Sequence, residues 1–121
     1  VNAAIKTGLK FLLQDHNLTQ ANYPNPANKV HPIWFNLNFP VFYQSDILFT
    51  LRMLMALNAL DRGEVIPALD WLEAKRGENE HWRGSSPFRA RTWRSIADKD
   101  EVHRWVSLYS ALILQHAGRD I

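Results

Sequence analysis

The sequence predicts an all-α domain made of two αα helical-repeat units, about four main helices, with long packed connecting loops. Two observations predict it. The second half repeats the first: shifted by 60 residues, Ile5, Gly8, Leu9, Phe11 and Leu12 fall on Val65, Ala68, Leu69, Trp71 and Leu72, and shifted by 57, Leu48, Phe49, Leu51, Leu57 and Arg62 fall on Trp105, Val106, Leu108, Leu114 and Arg119. In each half an amphipathic helical pattern precedes a long irregular connection and a second, more apolar helical pattern. One domain over residues 1–121 follows, with repeat 1 at about 3–60 and repeat 2 at about 64–118.

Residues 3–14 form the first helix, with Ala4, Ile5, Leu9, Leu12 and Leu13 as its apolar stripe and Lys6, Lys10 and Gln14 outward. Gly8 costs about 1 kcal/mol in mid-helix and implies a close helix contact. Residues 15–41 carry Pro24, Pro26, Pro32 and Pro40 but also Tyr23, Ile33, Trp34, Phe35, Leu37 and Phe39, so they should lie across the helices as a packed cover. The second helix spans 44–60, capped by Ser45 with Asp46 at its positive end, and ends at Asp61, Arg62 and Gly63. It is apolar on almost every side, the mark of a helix buried on nearly all faces, where Met53 and Met55 fill core.

The third helix spans 64–76, with Pro67 tolerable in its first turn and Val65, Ala68, Leu69 and Leu72 inward. A second long connection, residues 77–100, is rich in Arg and Trp. The fourth helix spans 101–117, capped by Asp98 or Asp100 and closed by Gly118, and Val102, Trp105, Val106, Leu108, Tyr109, Leu112, Ile113 and Leu114 cover most of its circumference. The order is outer, inner, outer, inner.

Composition is that of a globular domain: 46% hydrophobic, 21% charged, with five Trp, six Phe and three Tyr for burial. The absence of cysteine excludes disulfides and thiolate zinc sites and fits a cytoplasmic setting. A net charge of +2 is too small for a general nucleic-acid binder. The apolar run Ile47–Leu60 is broken by Thr50, Arg52 and Asn58 and is too short to span a bilayer. The chain starts on Val inside a helical pattern, so a processed N-terminus is expected.

Helix pairs alternating in this way resemble the α/α-toroid of terpenoid cyclases and protein prenyltransferases. The outer-helix ends resemble the squalene and hopene cyclase repeat, in which a Gly, an aromatic-Leu pair and a Gln precede a Gly-x-Trp turn. Gly8 with Phe11-Leu12-Leu13-Gln14 is one copy; Ala68, Trp71-Leu72, Lys75, Gly77 and Trp82 form a more degenerate second. The run from Trp34 to Asp46 (Trp-Phe-Asn-Leu-Asn-Phe-Pro-Val-Phe-Tyr-Gln-Ser-Asp) is similar to one preceding an inner helix in bacterial proteins with prenyltransferase/squalene-cyclase repeats. His81-Trp82-Arg83, Thr92-Trp93 and Trp105-Val106-Ser107-Leu108 are similar to that group as well. Two departures stand out. The cyclases protonate an alkene with an Asp-rich motif, whereas Asp98-Lys99-Asp100 has other spacing and reads as a helix cap. The prenyltransferases hold zinc with Asp, Cys and His, and no Cys is present. With only two helix pairs, the chain is expected to be a fragment of a longer toroid or a unit completed by oligomerising.

Three constellations carry candidate chemistry. Tyr43 and Asp46, three apart at the start of an inner helix, point to a carboxylate acting as an acid or on a ligand cation; the plain alternative is a helix cap and a loop hydrogen bond. Arg83, Arg89, Arg91, Arg94 and Arg104 accompany Trp82, Trp93 and Trp105, which suits a diphosphate site beside an apolar cavity, or else Arg stems packed on Trp rings. Phe42, Tyr43, Trp105 and Tyr109, with Trp34, would line that cavity. His16, His31, His81, His103 and His116 have no metal spacing, and neither metal nor cofactor is expected. The expected function is binding of an apolar, isoprenoid- or lipid-like small molecule, without evident catalysis. The alternative is a non-catalytic helical-repeat scaffold that forms a homo-oligomer. A carbohydrate-active relative ranks last, since Asp46 is its only placed carboxylate.

Overall fold

The structure is a computed structural model that describes residues 1–15, 18–19, 30–42, 44–91, 93 and 98–121. It is all-α: four helices, α1 (Asn2–Lys10), α2 (Ile47–Ala56), α3 (Ile66–Ala74) and α4 (Lys99–His116), with no strand among the described residues. α1 runs on as a π-turn over Phe11–Asp15, so the first helical segment matches the expected span closely. The body is a three-helix packing, in which α2 meets α4 and α3 meets both. α1 joins it chiefly through its π-turn, which rests on the 3₁₀ turn Gly63–Val65. Leu9 is the only buried residue within α1, and Ala4 and Ile5 of the expected stripe are exposed. The close contact expected at Gly8 is absent: a Cβ there would meet nothing within 4 Å.

α3 follows its pattern. Val65, Ala68, Leu69 and Leu72 are buried, and Pro67 sits in the first turn, where its missing N–H removes no helical bond. Trp71 is only half-buried, tilted against Phe35 at 5.9 Å between ring centroids. Arg119, just past α4, bonds Asp70 and Glu73 at 2.7 and 2.6 Å and straps α3 to the chain end.

α2 corrects three expectations. Its cap is Asp46, not Ser45: the Asp46 carboxylate accepts the Phe49 N–H at 2.7 Å. It ends at Ala56, well before Gly63, because Asn58 adopts φ +51° and the Ala59 and Asn58 amides return to the Leu54 and Met55 carbonyls. That is a Schellman closure with Asn in the left-handed position. α4 closes identically, with Gly118 at φ +75° and Arg119 and Gly118 bonded to Leu114 and Gln115. The two closures superpose at a shift of 60, so the second helices share the period of the first, not 57. Nor is α2 buried all round, since Met53, Ala56 and Leu57 are exposed. Met53 is therefore a surface residue, while Met55 packs on the core.

α4 is capped by Asp98, which accepts from the Asp100 and Glu101 amides. Val102, Val106, Ser110, Ile113 and Leu114 form its buried side. Trp105, Leu108 and Leu112 do not join them, being 40%, 47% and 42% exposed. The apolar positions around α4 outnumber what α2 and α3 can cover.

The two long connections meet. A parallel bridge joins Asn38 to Ser85, with Phe39 N–H on Ser85 O (2.9 Å) and Ser85 N–H on Leu37 O (2.7 Å). The described part of the first connection packs as a cover: Leu37 is buried, Ile33, Trp34, Phe35 and Phe39 are half-buried, and the Trp34 indole donates to Leu18 O at 2.8 Å. Tyr23 lies outside the described residues.

Candidate functional site

Trp82 organises the second connection. It is 1% exposed, donates its indole N–H to Leu72 O of α3 at 2.7 Å, and its backbone N–H goes to Ser107 Oγ of α4 at 2.9 Å. The indole plugs the α3–α4 junction, and Trp82 also borders the groove between these elements. Two residues on, Gly84 passes so close to α4 that a Cβ would stand 2.7 Å from both Val102 Cγ1 and Val106 Cγ2. Its amide donates to His103 Nδ1 at 2.9 Å, which leaves the other ring nitrogen to carry the neutral imidazole's proton.

The segment 82–85 and the first half of α4 form one wall of an open groove of about 1410 Å³. Lys75, Arg83, Lys99 and Arg104 line it with His81 and His103, against Glu78 and Asp100. Phe35, Leu37 and Trp82 share its lining with these charged side chains, and it is open, unlike the enclosed apolar pockets that hold small lipophilic molecules. Among the described residues no cluster of three metal-ligating side chains occurs, and no helix is long and apolar enough to cross a membrane.

A second, smaller cleft of about 210 Å³ lies between the first connection and the helices, lined by Asn38, Phe39, Val41, Phe49, Arg52 and Tyr109 among others. Here the aromatic side chains gather. Phe39 stacks on Trp105 (5.5 Å, interplanar 16°), Trp105 meets Tyr109 at 5.8 Å, and the Arg52 guanidinium sits 3.6 Å from the Tyr109 ring centroid. Trp105 and Tyr109 are therefore neighbours, and of the two Tyr109 lines the cleft. Phe42 is not with them; it is half-exposed and packs edge-on against Phe88 at 5.8 Å. Tyr43 lies outside the described residues, as do Arg94 and His16. Trp34 is held elsewhere by its bond to Leu18.

Asp46 is a structural cap. Its carboxylate also accepts the Asn38 backbone and side-chain N–H groups, both at 2.8 Å, tying the first connection to the start of α2. Burial pushes the carboxyl up from its ordinary value of 3.8, and the N–H donors of Phe49 and Asn38 pull against that shift. With three N–H donors on its carboxylate and almost no exposed surface, Asp46 is turned into the fold and away from solvent.

Of the Arg–Trp constellation, Trp82, Arg83 and Arg104 border the same groove. Trp93 is 79% exposed, Arg83 and Arg91 are exposed, and Arg104 pairs with Glu101 at 3.1 Å. Cation–π contacts form between Arg52 and Tyr109, Lys75 and Trp71, and Arg76 and Trp82. No family model, no curated protein and no solved structure matches the chain.

Phe39, Arg52 and Asn38 are the site residues that sequence reasoning passed over. Arg52 carried the one available signal, a cation inside an otherwise apolar helix.

Proposed function

We propose that the chain is a non-catalytic helical-repeat scaffold that works by self-association through the outward faces of α2 and α4. One observation carries this reading: Met53 and Leu57 on α2 and Trp105, Leu108 and Leu112 on α4 are each at least two-fifths exposed. The Arg52–Tyr109 contact joins the two helices at the border of these faces. Apolar surface gathered on adjoining helices, rather than scattered singly, marks an interaction site. Sedimentation velocity from about 1 to about 100 µM tests it. A sedimentation coefficient that rises with concentration is expected; a constant monomer value overturns the reading.

A second reading is favoured by the aromatic cleft: binding of an apolar, isoprenoid- or lipid-like molecule, in keeping with the resemblance to prenyltransferase/squalene-cyclase repeats. About 210 Å³ is below the usual range for a whole small molecule and would admit only the end of a chain between Phe39, Phe49 and Tyr109. Native mass spectrometry after incubation with prenyl alcohols and fatty acids should then show a bound species, lost in Tyr109→Ala. No bound mass would remove this reading. Under either reading the chain acts in the cytoplasm or as part of a longer repeat protein.

A further inference from the structure

We propose that the small cleft between the first connection and the helices α2 and α4 is a site for a small aromatic carboxylate, with Arg52 as its counterion. The inference rests on the second reading above, that this cleft holds an apolar molecule, and names the class of that molecule. Size sets the first limit. An apolar cavity of about 150 Å³ takes up benzene, so about 210 Å³ leaves room for a ring and one small substituent. Phe39, Val41, Leu48 and Phe49 supply the apolar lining, and Tyr109 adds its ring. The aromatic walls brace one another, since Phe39 stacks on Trp105 and Trp105 meets Tyr109.

Charge selects the ligand's polar end. Among the described residues Arg52 is the one charged side chain of this lining, and none of the ion pairs formed among them uses it. Its guanidinium lies over the Tyr109 ring, 3.6 Å from the centroid. The ring carries no net charge, so this contact positions the cation without neutralising it. Asp46 does not neutralise it either, because its carboxylate is taken up by the N–H groups of Asn38 and Phe49. Asn38 offers no competing donor: its N–H groups go to oxygens of Asp46, Ile33 and Asn36. A guanidinium laid on a ring keeps its N–H fork, and a carboxylate matches that fork with two parallel bonds. A neutral apolar guest would instead cover Arg52 and strip it of water without supplying a counterion, which is costly. One cation among apolar walls suits a monoanion rather than a diphosphate.

Isothermal titration calorimetry at neutral pH with benzoate, phenylacetate and benzyl alcohol tests this. The wild type should bind the two acids about tenfold or more tighter than the alcohol, the size of a charge-assisted hydrogen bond. Arg52→Gln keeps the apolar stem and should lose that preference, with far-UV circular dichroism and the urea midpoint confirming the fold. Arg104→Gln, in the larger groove, should leave all three affinities unchanged. The wild-type comparison needs no variant, so it decides the matter even where Arg52→Gln does not fold. Equal wild-type affinities for benzoate and benzyl alcohol overturn the carboxylate assignment and leave the cleft as a site for neutral apolar molecules. Equal losses of acid binding in Arg52→Gln and Arg104→Gln overturn it as well, since the anions are then drawn to a diffuse positive surface. A wild type that binds none of the three up to about 10 mM overturns this inference together with the apolar-ligand reading.

Discussion

Trp82 should be the costliest tryptophan to remove. Its ring is almost wholly buried, and a buried Trp takes about 150–250 Å² out of water. At about 25 cal/mol per Å² that burial corresponds to about 4–6 kcal/mol, and Trp→Ala substitutions in cores cost about 3–5. Truncation also leaves the Leu72 carbonyl without the indole N–H it accepts at 2.7 Å, worth about 1 kcal/mol more. A domain of 121 residues has a total stability of about 6–18 kcal/mol, so Trp82→Ala removes a large share. Trp82→Phe keeps most of the ring area and loses the hydrogen bond; about 1–3 kcal/mol is expected. Trp71, half-buried against Phe35, should cost about 1–2 kcal/mol as Ala. Trp93, largely in solvent, should cost less than about 0.5. Urea unfolding followed by circular dichroism at 222 nm measures the series. A Trp71→Ala loss equal to or above that of Trp82→Ala would refute the placement of Trp82 at the α3–α4 junction.

Three further outcomes follow from named contacts. Gly84→Ala should lose about 1–3 kcal/mol, because the new methyl lies 2.7 Å from two valine methyls of α4; an unchanged urea midpoint would show that the 82–85 segment stands off the helix. Asp46, with its carboxyl raised above 3.8, favours the folded state below that pH and loses this contribution as pH climbs through its folded value. The stability of the wild type relative to Asp46→Asn should accordingly fall with rising pH across the acid range, and a relative stability that rises there would refute the burial argument. Arg119→Ala should cost about 1 kcal/mol at low salt and less than half of that in 1 M NaCl, as the Asp70 and Glu73 pairs are part-exposed and screened; thermal melts at two salt concentrations decide it.

The helices themselves were legible. Val65, Ala68, Leu69 and Leu72 announce α3 by spacing alone, and Asp98 and Gly118 mark both ends of α4 by their cap chemistry. What spacing does not carry is which neighbour is present. Met53, Leu57, Trp105, Leu108 and Leu112 look like core in a helix that is apolar all round, because an exposed apolar face and a buried one have the same pattern. Trp82 stands in a polar, Arg-rich stretch, and only its long-range bonds to Leu72 and Ser107 give its burial away. Ser45 and Asp46 are both good caps by type. Asp46 prevails because the same carboxylate also receives Asn38, a contact across eight residues. The shift of 57 arose from matching apolar letters, whereas the paired helix closures at Asn58 and Gly118 align at 60.

The proposed self-association through the outward faces of α2 and α4 can be tested directly, since the sequence has no cysteine and a single introduced one takes a spin label cleanly. Labels at Ala56→Cys on α2 and Gln115→Cys on α4, both exposed positions, would be compared with one at the exposed Lys6→Cys on α1 by pulsed dipolar spectroscopy. Dipolar coupling between copies that is stronger at the α2 and α4 sites than at α1 is expected. Coupling strongest at α1, or none at any of the three sites, would contradict the account.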